Sequence, residues 1–158
     1  MPADSDRVPV PDHAVLLPHT WRPLGPRIAG PVAGVVLLVL FVGAWFAFDQ
    51  ETRDKFTGFQ IGTLAVLWLA GASAMYALVR SRVVASRERL VIVNGYRRHE
   101  LEWAQVVAVR LPPGAPWVTL DLADGEVLAA MGIQGSDGER AQRAVRQLRA
   151  LVNQPPNA

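Results

Sequence analysis

Two uninterrupted apolar runs constrain this chain more than anything else in its sequence. Ile28 to Phe48 contains no charged residue, and neither does Phe56 to Val79. A helix rises about 1.5 Å per residue, so about 20 residues cover a hydrocarbon core of roughly 30 Å, and each run is long enough to cross a bilayer. The polar segment Asp49 to Lys55 between them makes the pair a helical hairpin over 28–79, with spans at 28–48 and 56–79. Composition agrees: 51% of residues are hydrophobic, 19% are charged and none is cysteine, which excludes a purely soluble protein, an intrinsically disordered one and a disulfide scaffold. A signal peptide does not fit the first run. The tail before it is long and carries Asp4, Asp6 and Asp12, and a second span follows.

Residues 1–27 form a proline-rich tail, too polar to bury a core and expected to be extended. Within it, Val15, Leu16, Leu17 and Trp21 are ill-suited to open water. Two readings fit them: an interfacial stretch in which Trp21 and Arg22 rest on lipid headgroups, or an added strand on the downstream domain. Orientation follows from the cations. Arg22 and Arg27 precede the first span and Arg80, Arg82, Arg87 and Arg89 follow the second, whereas the loop offers only Arg53 and Lys55. Positive-inside counting places both termini in the cytoplasm and the loop outside, the expected topology of a multi-pass membrane protein.

Small residues set the expected packing of the hairpin. Gly30 and Gly34 form one G-x-x-x-G and Gly58 and Gly62 another. In an antiparallel pair, Gly43/Ala47 should face Gly62/Gly58, and Gly30/Gly34 should face the Gly71/Ala74 turn, so that small meets small and the backbones approach closely. Homodimerisation through the same motifs is the competing use. The spans contain no Asp, Glu, His, Lys or Arg, which argues against an ion or proton pathway through the hairpin alone.

Beyond Ser81 the pattern changes to that of a β-domain. Leu90 to Val93, Tyr96 to Trp103, Val106 to Leu111, Trp117 to Leu122 and Val127 to Met131 read as strands. Asn94-Gly95 predicts a type I′ hairpin turn and Asp124-Gly125 a second tight turn. Alternation places Val107, Val109 and Leu111 on one inward face and Val118, Leu120 and Leu122 on another, with Trp103 in the core. Ser136-Asp137-Gly138-Glu139 fits a capping box, and Ala141, Ala144, Val145, Leu148, Leu151 and Val152 recur at helical spacing to make one apolar stripe. Pro155 and Pro156 end that helix.

Two spans are thus followed by Arg-Val-Val-Ala-Ser (82–86), Glu-Arg-Leu-Val-Ile-Val-Asn-Gly (88–95), Leu-Glu-Trp-Ala-Gln-Val (101–106), Trp-Val-Thr-Leu-Asp-Leu-Ala-Asp-Gly (117–125) and a capped helix. This order resembles the membrane-anchored bacterial PH-domain proteins of actinobacteria, the low molecular weight protein antigen 6 type. The resemblance implies an α+β membrane protein in which the hairpin precedes a PH-like split β-barrel, over 81–154, capped by a C-terminal helix. Such sheets are usually seven-stranded. Six segments are countable if Arg82 to Ser86 is a strand, and Gly132 to Gln134 or the Val15 to Leu17 tail is left to supply the seventh.

The residues name no reaction. His99-Glu100-Leu101-Glu102 lacks the second histidine of a zinc-protease helix, the three histidines are scattered, and the glycine-rich stretch at 132–138 is neither a P-loop nor a dinucleotide fingerprint. No serine or threonine has a recognisable His and acid partner. The reading is therefore a non-enzyme with no cofactor and no metal, and a formal net charge of +2 is too small to argue for nucleic acid. What remains is arginine. Arg87, Arg89, Arg97 and Arg98 are the candidate contacts for lipid or partner, each basic residue near an anionic leaflet being worth about 1 kcal/mol. Two functions follow: a membrane-tethered interaction module at the cytoplasmic face of a bacterial membrane, engaging a membrane or envelope protein, or a sensor of anionic lipid headgroups.

Overall fold

The structure, a computed structural model, describes residues 15–156. A short strand β1 (His19–Trp21) leads into the long helix α1 (Gly25–Ala47). The one-and-a-half-turn helix α2 (Gln50–Asp54) follows, and a second long helix, α3 (Gly58–Arg80), completes the hairpin. Strands β2 (Arg82–Ala85), β3 (Arg89–Asn94), β4 (Arg97–Glu102), β5 (Val106–Arg110), β6 (Trp117–Leu122) and β7 (Val127–Gln134) come next, and α4 (Glu139–Asn153) closes the chain.

Helices α1 and α3, each of 23 residues, are long and apolar enough to cross a membrane. Local chemistry starts two of the three helices of the hairpin. The Thr57 hydroxyl accepts from Gln60 N–H while the Gln60 side chain accepts from Thr57 N–H, a capping box for α3, and the Asp49 carboxylate accepts from Thr52 N–H to begin α2. Helix α1 starts at Leu24-Gly25-Pro26 with no such residue of its own.

The two helices meet differently from the small-on-small expectation. At Gly30 a Cβ would collide with the Met75 side chain, so the close approach is real there. At Gly34, Gly43, Gly58 and Gly62 a Cβ would meet nothing within 4 Å. The reason lies in the bulk along α3: Leu64 and Trp68 line both of the apolar grooves that flank the seam, and side chains of this size hold the backbones apart. This also gives Trp68 its role in packing. At the α2 end the seam is closed by aromatics, with Phe56 edge-on to Trp45 at 5.5 Å and stacked on Phe48 at 6.0 Å.

The strands form two antiparallel sheets, β1-β2-β3-β4 and β5-β6-β7, not one closed barrel. The seventh strand comes from the tail, in the register His19↔Ala85, Thr20↔Val84 and Trp21↔Val83. The added-strand reading of the tail is therefore the one observed, two residues downstream of Val15 to Leu17, and Gly132 to Gln134 simply extends β7. Trp21 is buried in the core, with Val15 and Leu17 packed against its edge.

The sheets join through Asn94 and Gly132. Asn94 Nδ2 donates to the Ala129 carbonyl at 2.6 Å and its Oδ1 accepts from Met131 N–H at 3.0 Å, so one side chain replaces a pair of ladder bonds between β3 and β7. At Gly132, β7 crosses β2 so closely that a Cβ would lie 2.5 Å from the Arg82 carbonyl carbon. Because Asn94 stays in its strand, the turn is centred on Gly95-Tyr96 and not on Asn94-Gly95. Gly95 has φ +59° and is followed by a residue of negative φ, the pattern of a type II′ turn in place of the expected I′.

The core holds Trp103, Leu90, Ile92, Val118, Leu120, Val145 and Leu148, each at most 1% exposed, with Trp103 Nε1 donating to the Ser86 carbonyl at 3.2 Å. One inward face is corrected. A bulge between Val106 and Ala108 turns Val106 and Val109 inward and leaves Val107 63% exposed. The expected Ser136–Glu139 capping box is also absent. Residues Gly135–Asp137 make a 3₁₀ turn, Gly138 precedes α4 at φ +57°, and no side chain caps α4. Asp137 serves another helix.

Candidate functional site

The face of the domain that meets the two long helices is built from three separate parts of the chain. Asp137, at the end of the 3₁₀ turn after β7, accepts from Leu24 N–H at 3.0 Å and from Gly25 N–H at 3.1 Å. These are N–H groups that the start of α1 cannot satisfy internally, and the carboxylate also opposes the positive end of the helix dipole. At the other helix, the buried Ser81 hydroxyl donates to the Ala77 carbonyl at 3.0 Å and accepts from Gly95 N–H at 2.9 Å. Gly95 lies so close to Ala77 that a Cβ would be 3.1 Å from its methyl group. The β3–β4 hairpin tip then extends along α3: the Tyr96 hydroxyl donates to the Ser73 carbonyl at 3.1 Å, and its ring lies 6.3 Å from that of Tyr76.

The four candidate arginines are spread along the β3–β4 pair, and two of them converge on one carboxylate. Arg97 and Arg98 follow the turn at Gly95-Tyr96, beside α3. The backbone of Arg89 lies at the opposite end of β3, about 16 Å away at the rise of a strand, with Arg87 just before it. Two of the four are engaged: Arg89 and Arg98 reach Glu100 at 2.6 and 2.7 Å. The hydrogen bond from Arg89, reinforced by the charge of Arg98, holds the Glu100 carboxyl below the ordinary range for its type and raises Arg89 in turn. Among the described residues Arg87 and Arg97 have no carboxylate within 4 Å. The glycines of the spans sit apart from this face, with Gly30 nearest to it and Gly58 and Gly62 at the far end of α3.

A second cationic group lies between β1 and α4. A cavity of about 310 Å³ is lined by His19, Thr20, Arg22, Asp137, Arg140, Arg143 and Gln147. Trp21 fixes its wall, its Nε1 donating to Gln147 Oε1 at 3.1 Å. Partial burial keeps His19 below its ordinary pKa, so near neutral pH the cations here are arginines. A signal for this grouping existed in the sequence, since Arg140 and Arg143 lie one turn apart on the polar flank of the α4 stripe. Their approach to Arg22 depends on the docking of β1.

Residues 80–151 match the family described as bacterial PH domain. Two uncharacterized mycobacterial proteins, Rv1417 of Mycobacterium tuberculosis and Mb1452 of Mycobacterium bovis, are each 32% identical to the chain over 145 residues, covering 87% of the chain and 87% of each relative. The chain belongs to the bacterial PH-domain family. The two sheets and the C-terminal helix of this bacterial PH-domain protein are those of a PH-like domain, and the family indicates an interaction module, with no catalytic family matched. No solved structure matches the bacterial PH-domain protein. Among its described residues no cluster of His, Asp and Glu could hold a metal ion.

Proposed function

We propose that this bacterial PH-domain protein is a non-catalytic interaction module tethered to the cytoplasmic face of a bacterial cell membrane by α1 and α3, with both termini in the cytoplasm, and that it engages a membrane or envelope protein. One observation supports the reading above the rest: the domain is bonded to the beginning of α1 through Asp137 and to the end of α3 through Ser81 and Tyr96. A domain fastened at both ends of a hairpin is presented at a set height and orientation, which suits docking of a partner and not a flexible reach. The side chains of both helices are almost wholly uncovered, as a lipid environment requires.

The β3–β4 arginines support a lipid sensor less well. Arg89 and Arg98 share the Glu100 carboxylate, which offsets one of their two charges, and Arg87 and Arg89 start from the end of β3 away from the helices. Extraction from the native membrane in mild detergent tests the choice. The module should retain one protein in stoichiometric amount through moderate salt. Recovery of lipid alone, released as salt screens charge over a Debye length of about 8 Å near 0.15 M, would favour the sensor.

A further inference from the structure

The cavity between β1 and α4 has the chemistry of an anion site. Its basic lining residues Arg22, Arg140 and Arg143 have no carboxylate within 4 Å among the described residues. The one acid that lines it, Asp137, has both carboxylate oxygens turned to backbone N–H groups at the start of α1, and the three arginines outnumber it. Gln147 uses its Oε1 to accept from Trp21, which leaves its amide N–H₂ as a donor, and Thr20 adds a hydroxyl. Three guanidinium forks, an amide and a hydroxyl around a concave space of about 310 Å³ suit a tetrahedral phosphate, which accepts several hydrogen bonds at once and pairs with arginine in bidentate fashion.

We propose that this cavity binds a phosphate group, carried by an anionic glycerophospholipid headgroup or by a free phosphomonoester. The position favours the headgroup. Arg22 lies three residues before the first residue of α1, and the Asp137 bonds place the start of α4 at the same level as the start of that helix. The cavity is separate from the arginines of β3 and β4, and it exists only because the tail strand β1 docks against the sheet. The phosphate chemistry stands on the lining residues alone, while the lipid source rests on the membrane reading given above.

Full-length protein in uncharged detergent is titrated with phosphatidylglycerol in mixed micelles, with phosphatidylcholine, and with soluble glycerol 3-phosphate. The proposal expects saturable binding of phosphatidylglycerol or glycerol 3-phosphate, weakened about tenfold or more in the Arg140→Gln/Arg143→Gln double variant, because two charge-assisted hydrogen bonds are lost. Arg97→Gln/Arg98→Gln should leave that binding within about twofold, since neither residue lines the cavity. Binding of phosphatidylglycerol alone assigns the lipid source; equal binding of glycerol 3-phosphate assigns a soluble phosphate. Both exchanged residues on α4 are exposed, so an unchanged unfolding midpoint accompanies the loss. Saturable binding of neither anion, equal binding of phosphatidylcholine, or undiminished binding in the α4 variant would overturn the proposal. None of these results bears on whether α1 and α3 span the membrane.

Discussion

The Asp137 carboxylate caps the helix that Gly25 begins, 112 residues earlier in the chain, with Oδ1 accepting from Gly25 N–H at 3.1 Å. A helix with leucine at its cap position and proline in its first turn takes its cap from the β-domain, so folding of the domain and placement of α1 are linked. Replacing the cap residue therefore does more than fray one helix.

Asp137→Ala should lower stability by about 0.5–2 kcal/mol, the usual cost of losing a helix cap, with amide exchange at Leu24 and Gly25 rising first. Asp137→Asn should fall between, because one amide oxygen still accepts but the charge opposite the helix dipole is gone. Hydrogen exchange followed residue by residue in detergent checks both. Unchanged protection at Leu24 and Gly25 in the alanine variant would show that the cap is unimportant.

Gly132→Ala should destabilise the domain by about 1–3 kcal/mol or more, since the new methyl group would lie 2.5–2.6 Å from the backbone of Arg82 and Val83 and neither chain can rotate away. The readout is the chemical unfolding midpoint. Gly114→Ala is a poor control despite its open surroundings, because Gly114 has φ +80°; Ala123→Gly, in an exposed turn, is a better one.

Trp21→Ala should cost about 3–5 kcal/mol through loss of a buried indole, and Trp21→Phe less, since a ring remains while the bond to Gln147 is lost. Removal of residues 1–22 should likewise leave Val83 and Ala85 without a covering strand and weaken the domain. A tail deletion as stable as the full chain would return the tail to the interfacial role.

Among the glycines, Gly30→Leu should disturb the hairpin because Met75 occupies the space, whereas Gly34→Leu and Gly62→Leu should be tolerated with midpoint shifts of about 0.5 kcal/mol or less. Detergent stability of the three variants decides it. Loosening by the Gly62 change but not by the Gly30 change would restore the small-on-small seam.

Periodicity made much of this fold legible. The uncharged runs gave the two long helices to within three residues, the alternation at Val118 and Leu120 gave a buried strand face, and the spacing of Ala141, Ala144, Val145 and Leu148 gave the buried stripe of α4. Failures came where one residue's partner lies far along the chain. The bulge at Val106/Ala108 shifts the phase of β5 with no local marker, so Val107 faces outward against the simple alternation. Ser136-Asp137-Gly138-Glu139 has the letters of a capping box, but Asp137 is claimed by α1. The cross-strand sharing of Glu100 by Arg89 and Arg98 depends on the register of β3 on β4, which no local pattern in the sequence marks. The basic cavity needed the most distant pairing of all, Arg22 on the tail with Arg140 and Arg143 on the last helix.

The central claim, a PH-like domain held at the cytoplasmic face by α1 and α3, is tested most directly by single cysteines in this cysteine-free chain. Thr52→Cys marks α2 between the long helices, and Ser136→Cys marks the 3₁₀ turn beside the start of α1. An impermeant thiol reagent applied to intact cells should label the first variant only, with the second reacting after the membrane is permeabilised. Labelling of Ser136→Cys in intact cells, with Thr52→Cys protected, would contradict the claim.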